Sequence, residues 1–177
     1  DRGNQGFQPI KSARTQSVER IDDLFLRDEP ITGMETGYND IDDMTSGLQS
    51  SVLVVVAGRP FMGKTTFALN IAEHIAIKSK RPVAVFSMEM PGEQLALRMM
   101  SSLGRIDQQK VRTGKLSDDD WPRITSAVTM LAEAPMFIDD TPALNPTELR
   151  ARARRLTRET GDLGLVVERA SGSVLII

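Results

Sequence analysis

Between Thr15 and Asp28 the apolar residues Val18, Ile21, Leu24 and Phe25 recur at helical spacing, while Glu19, Arg20, Asp22, Asp23 and Arg27 occupy the other faces. The pattern predicts a short amphipathic helix over 15–30, cut off from the rest by Pro30 and Gly33. A helix of that length is marginal in water unless its apolar stripe is covered. Two covers are open: the helix folds back on its own domain, or it docks on a neighbouring subunit and makes the protein an oligomer. Residues 1–14 are polar, carry Gly3, Gly6 and Pro9, and show no apolar period, which reads as a flexible tail or linker stub.

From Ile31 onward the pattern becomes that of one α/β domain, 31–177. Gly33, Gly37 and Gly47 mark turns around a short helix near Asn39 to Met44. Ser51 to Ala57 is an apolar, β-branched strand, and a helix runs from Thr65 to about Ser79. Pro82 to Ser87 is a second strand, and Gly92 to Leu103 a second helix with Pro91 at its start. Ser117 caps a further helix, with Asp120 as its reciprocal partner, running to about Ala132. Met136 to Ile138 is a short strand that ends in Asp139 and Asp140. Asn145, Pro146 and Glu148 together open the last helix, and Leu163 to Val167 is another strand. Alternating strands and helices imply a mainly parallel sheet with helices on both faces. Ligands of such sheets lie at the carboxyl ends of the strands.

At one such end stands Gly58-Arg59-Pro60-Phe61-Met62-Gly63-Lys64-Thr65, which satisfies G-x-x-x-x-G-K-[ST] at every fixed position. Strand before and helix after supply the context that makes this pattern a triphosphate cradle. The glycines turn backbone amides toward phosphate, and the helix N-terminus adds its positive end. Lys64 is expected to reach the β- and γ-phosphates, and the Thr65 hydroxyl to take a place on Mg²⁺. Gly58 to Thr65, with Thr66, make up the expected contact set for ATP.

Composition changes the picture little. Hydrophobic residues make up 40% of the 177 and charged residues 26%, so the chain can bury a core of its own. Its apolar runs are too short to span a bilayer, and a cytoplasmic location is expected. With no cysteine, disulfides and thiolate metal sites are excluded. A formal charge of −2 gives no overall pull toward nucleic acid, so contact with it must come from a local patch or a ring of subunits.

Several other residues bear on chemistry. Glu89 leaves the end of the second strand, which is expected to neighbour the strand before Gly58. It reads equally as a base for the attacking water and as an ordinary acid at a helix start. Asp139 resembles a Walker B acid, but Asp140-Thr141-Pro142 is also a good turn. The strand ending at Val167 is better placed for that role, although Glu168 follows it where aspartate is usual. Arg150, Arg154 and Arg158 share one helix face and read as a solvated stripe before a nucleic-acid one. His74 reads as structural, and Trp121 lacks the basic or aromatic neighbours that base stacking needs.

Taken in order, these stretches resemble a known family. Thr36 to Asp42 and Thr45 to Leu48, the Gly58–Thr65 loop, Phe86 to Pro91 with Glu93, Gln94 and Arg98, Arg105 to Gln108, Val111 to Gly114, Ile138 to Asp140 and Arg152 to Arg155 are similar to the RecA-type core of the bacterial replicative helicases of the DnaB type. The resemblance covers about residues 15 to 167. It implies a hexameric ring ATPase that moves on single-stranded DNA, with primase and a helicase loader engaged through the full-length protein. It implies Glu89 as the catalytic glutamate beside Lys64, and helix 15–30 as a linker packed on the next subunit. It also implies a Walker B aspartate just after Val167. There the sequence departs: Glu168 to Ser173 resembles a stretch much further along the family's chain, so a long segment with the DNA-contacting loops is expected between Val167 and Glu168. Without those loops, the rival reading is a nucleotide-dependent assembly module that does not unwind DNA.

Overall fold

The computed structural model describes residues 10–27, 31–50, 52–59, 62–169 and 172–176. Apolar runs too short for helices form β1 (Leu53–Val56), β2 (Val83–Ser87), β3 (Met136–Asp139), β4 (Gly164–Arg169) and β5 (Gly172–Ile176). They make one five-stranded sheet in the order β1-β5-β4-β2-β3. β2 pairs in parallel with both β3 and β4, whereas β5 runs antiparallel between β4 and β1. β1, β2, β3 and β4 therefore point the same way, as a mainly parallel α/β sheet requires. One expectation fails: β2 does not neighbour β1, because β4 and β5 lie between them. β5 returns sharply beside β4, with Arg169 paired to Gly172, and so takes the slot next to β1.

Side-chain alternation along β2 and β4 sorts the two layers. Val83 and Val85 of β2 and Val166 of β4 face α3 (Lys64–Ile77) and α4 (Gly92–Gly104). Ala84, Phe86 and Val167 face α7 (Pro146–Thr160), where Leu144 and Ala153 complete a second cluster. α3 buries Ala68, Ala72 and Ala76 along with Leu69, Ile71 and Ile75. Its small side chains let the helix axis come close to the sheet, which matters because this helix starts at the phosphate loop.

Ends of elements follow their local chemistry. Asn145 accepts from the Glu148 amide while Glu148 reaches back to the Asn145 amide, the full capping box expected for α7. α6 (Asp120–Glu133) starts two residues later than expected, with Asp119 and not Ser117 at its cap position. Here Ser117 donates its amide and its hydroxyl to Asp120 Oδ2, at 2.9 and 2.8 Å, instead of capping the helix. These Ser117 bonds, with Lys110 alongside, hold the Asp120 carboxyl down at about 2. α5 (Gln108–Thr113) has no counterpart among the expected elements; Asp107 caps it, and Gly114 ends it in the left-handed region.

The 31–48 segment, with α2 (Asn39–Thr45), is tied to α3. Asp42 is buried and accepts from the amides of Thr36 and Gly37 at 2.8 and 3.2 Å. Gly37 has φ +84°, and a Cβ there would meet His74 Nδ1 at 2.5 Å, so both conformation and space demand glycine. His74 thus packs against this turn, the structural part expected of it. α1 (Ile10–Arg27) begins five residues before the expected start, and residues 1–9 of the expected tail lie outside the described residues. Val18, Ile21, Phe25 and Leu26 on α1 are all exposed, Phe25 at 82%. At these positions the helix does not bury its apolar residues on its own domain, and the Leu24 side chain of the expected stripe lies outside the described residues. Among the described residues no helix is long and apolar enough to cross a membrane.

Glu73, mid-α3, is a buried acid at 6% exposure, and the Ser102 hydroxyl donates to it at 3.0 Å. Burial raises its carboxyl from 4.5 to about 7, with Ser102 opposing. The unfolded chain releases this proton near the ordinary value, while the folded chain keeps it until about 7. Its contribution to stability is therefore complete below the lower value and lost as pH rises through the upper one, an effect of about 3 kcal/mol. Glu73→Gln is expected to remove this loss. Urea unfolding at pH 5 and pH 8 should show the variant gaining on the wild type at the higher pH; an equal difference at both would reject a neutral buried Glu73.

Candidate nucleotide-binding site

β1 delivers the chain to the loop, and α3 takes it away. Gly63, the residue before α3, has φ +81°, and a Cβ placed on it would meet nothing within 4 Å, so glycine is needed there for conformation and not for room. No side chain caps the N-terminus of α3. The leading amides of such a helix point toward its N-terminal end, where an anion would meet them with the helix dipole behind. Lys64 folds back over the loop, its Nζ donating to the Gly58 carbonyl at 2.9 Å. Gly58, Arg59, Met62, Gly63 and Thr66 are exposed along the described part of the loop and the first turn of α3. Pro60 and Phe61, also expected to contact nucleotide, lie outside the described residues.

Beneath the loop sits a carboxylate that sequence reasoning left out of the site. Glu168, near the end of β4, is only 3% exposed. Its Oε1 accepts from the Thr65 hydroxyl and its Oε2 from the Ser87 hydroxyl, each at 2.5 Å. Short O–H···O⁻ bonds of this kind are charge-assisted, and both oxygens of the buried acid are thereby satisfied. β4 runs unbroken from Gly164 through Arg169, and Glu168 directly follows Val167, where the resemblance implies an apolar residue and then aspartate. The signal that would have found it is parity: Val166 faces α3, so residue 168 does too, while 167 cannot. A hydroxyl and a carboxylate beside a phosphate cradle form the hard oxygen set that suits Mg²⁺. Among the described residues no cluster of three or more His, Cys, Asp or Glu side chains could hold a metal alone.

The other candidates separate. Glu89 is exposed on the turn between β2 and α4, at the same sheet edge as the loop but reached through β4 and not beside β1. Asp139 ends β3, the strand farthest from β1 in the sheet, and is spent on other partners. Arg152 Nη1 donates to it at 2.7 Å and the Thr141 hydroxyl at 2.7 Å. Burial pulls the Asp139 carboxyl up, but the bonds from Thr141 and Arg152 prevail and hold it below the usual range. Asp140 accepts from the Gly92 amide at 2.8 Å and so caps α4. Arg150, Arg154 and Arg158 lie exposed along α7, and Trp121 is exposed on α6.

Comparison with known proteins agrees with this geometry. The chain is 47% identical over 166 residues to the replicative DNA helicase DnaB of Buchnera aphidicola subsp. Baizongia pistaciae, covering 93% of this chain and 36% of that protein. It is 47% identical over 161 residues to the replicative DNA helicase DnaB of Geobacillus stearothermophilus, covering 91% and 35%. The chain thus spans about a third of the length of these relatives. Among solved structures, a DnaB-like replicative helicase, studied with its interactions with primase, superposes with a TM-score of 0.80 at 25% identity, over 92% of this chain and 38% of that one. The family model of the DnaB-like helicase C-terminal domain matches residues 33–168, and this chain belongs to that family.

Proposed function

We propose that this chain is the ATPase domain of a replicative DNA helicase, coupling ATP hydrolysis to movement on single-stranded DNA and duplex unwinding. The observation that carries the reading is the Thr65–Glu168 bond at the foot of the phosphate loop, because a generic glycine turn has no use for a buried acid there. Lys64 and the free amides of α3 bind the β- and γ-phosphates of ATP. Thr65 and Glu168 would hold Mg²⁺, whose charge offsets that of the phosphates. Glu89 stands at the open side of the same edge and takes a proton from the attacking water. Single-stranded DNA, primase and a helicase loader are partners of the full-length protein.

The exposed stripe of α1 belongs to the same reading. Val18, Ile21, Phe25 and Leu26 would cost hydration free energy left bare on an isolated helix, and a second copy of the chain supplies their cover. Successive copies docked this way build a ring, and a hexamer is the expected closure.

Adding single-stranded DNA to the full-length protein is expected to raise its ATPase rate. ATPase activity indifferent to DNA, with no unwinding of a forked duplex, would replace the helicase by a nucleotide-dependent assembly module. Lys64→Ala should weaken binding of a fluorescent ATP analogue by about tenfold or more. Glu89→Gln should bind the analogue normally yet lose roughly 100-fold in turnover; wild-type turnover would remove Glu89 from the mechanism. Phe25→Glu is expected to shift the full-length protein to smaller species in sedimentation velocity, and an unchanged distribution would count against docking through α1.

A further inference from the structure

We propose that Ser87 is a positioning residue for hydrolysis, its buried hydroxyl fastening the turn that carries Glu89 to the acid beneath the phosphate loop. This role presupposes the parts given above to Glu89 and Glu168 and adds a physical link between them.

β2 and β4 pair in register with Ser87 opposite Glu168. Both residues face α3, and both are buried, Ser87 at 1% exposure. The chain then leaves β2 through Met88, Glu89, Met90 and Pro91 into α4. Three ties hold this turn. The Met88 amide donates to the Glu168 carbonyl at 3.2 Å. The Met90 amide donates to Ser87 Oγ at 3.2 Å. The Gly92 amide donates to Asp140 at 2.8 Å. Residues 88, 90 and 92 are fastened, and Glu89 projects between the first two.

Ser87 has a single hydroxyl proton and two acceptors in reach, Glu168 Oε2 at 2.5 Å and the Met90 carbonyl at 2.8 Å. The carboxylate is both nearer and the stronger acceptor, so the proton goes there. A hydroxyl that donates into a charge becomes a better acceptor itself. The result is a chain of one polarity, from the Met90 amide through Ser87 to Glu168, whose other oxygen meets Thr65. Glu89 is thereby held in a fixed relation to the residues serving phosphate and metal. Orientation of this kind is worth a great deal to a reaction while contributing little to binding. A buried serine that merely satisfies a buried acid would instead affect stability and leave turnover alone.

The test compares wild type, Ser87→Ala and Ser87→Thr in the full-length protein, with melting temperatures recorded for each. Ser87→Ala is expected to lower kcat about tenfold while KM and nucleotide affinity stay within about twofold. Ser87→Thr, which keeps the hydroxyl, should recover most of the rate. A second measurement needs no change at Ser87: Glu168→Ala should speed hydrogen exchange of the Met90 amide roughly threefold, because the amide's acceptor is no longer polarised. Wild-type kcat in Ser87→Ala, a loss confined to KM, or a threonine variant no better than alanine at equal melting temperature would overturn the role. So would a Met90 amide indifferent to Glu168→Ala, which also decides the matter if Ser87→Ala does not fold. Absence of ATPase activity in the wild type would instead sink the helicase reading.

Discussion

A carboxylate buried to 3% exposure must have both oxygens answered, and meeting that demand organises the site. An unpaired acid at this depth would cost several kcal/mol. Glu168 avoids the cost by accepting from Thr65 at the start of α3 and from Ser87 at the end of β2. Three elements far apart in sequence are thereby pinned at one point. The pinning fixes the first turn of α3 and hence the direction of its leading amides. Apolar packing brings α3 onto the sheet through its alanines, but packing alone leaves a helix free to slide along its axis. Directional bonds at its first turn remove that freedom.

The sheet depends on the same point from the other side. β1 touches the sheet only through β5, and β5 reaches β1 only because it returns antiparallel beside β4. Leu53 and Val55, on the face away from α3, are exposed. β1 is thus held on one edge and one face, an economical but weak hold for the strand that supplies the phosphate loop. Glu168, bonded directly to α3, anchors the loop's far end independently of β1.

Much of this is legible in the residues, and the gaps have physical reasons. The strand, loop and helix around Gly63 follow from local pattern, since glycine at a positive φ and an apolar β-branched run are local demands. The box at Asn145 and Glu148 is equally local and forms as expected. α5 escapes a periodicity reading because six residues give too few repeats, although Asp107 and Gly114 mark its ends. Ser117 misleads because a serine and an acid three apart fit two arrangements, and only packing decides which group donates. The order of strands is not local at all. Placing β2 beside β1 is the natural choice for a parallel sheet, and nothing within either strand announces the intervening hairpin. Glu168 lies between these cases: its strand is recognisable, and counting by twos from Val166 along β4 assigns its face.

Two features of the chain are incomplete in the same direction. Arg59, Thr66 and Glu89 stand open to solvent at the end of the sheet where phosphate chemistry is proposed, and exclusion of bulk water there would strengthen every electrostatic contact. Phe25 and Leu26, at 82% and 80% exposure, stand open on a helix that its own domain does not cover. Either deficit alone would admit several remedies, such as a cover over the loop or a different partner for the helix. A second copy of the same chain, docked as proposed above, would remedy both with one contact if the surface that buries α1 of one copy also faced the phosphate loop of its neighbour. On that view the buried Thr65–Glu168–Ser87 set is the part of the site each chain completes for itself, and the exposed rim is the part it leaves to the next.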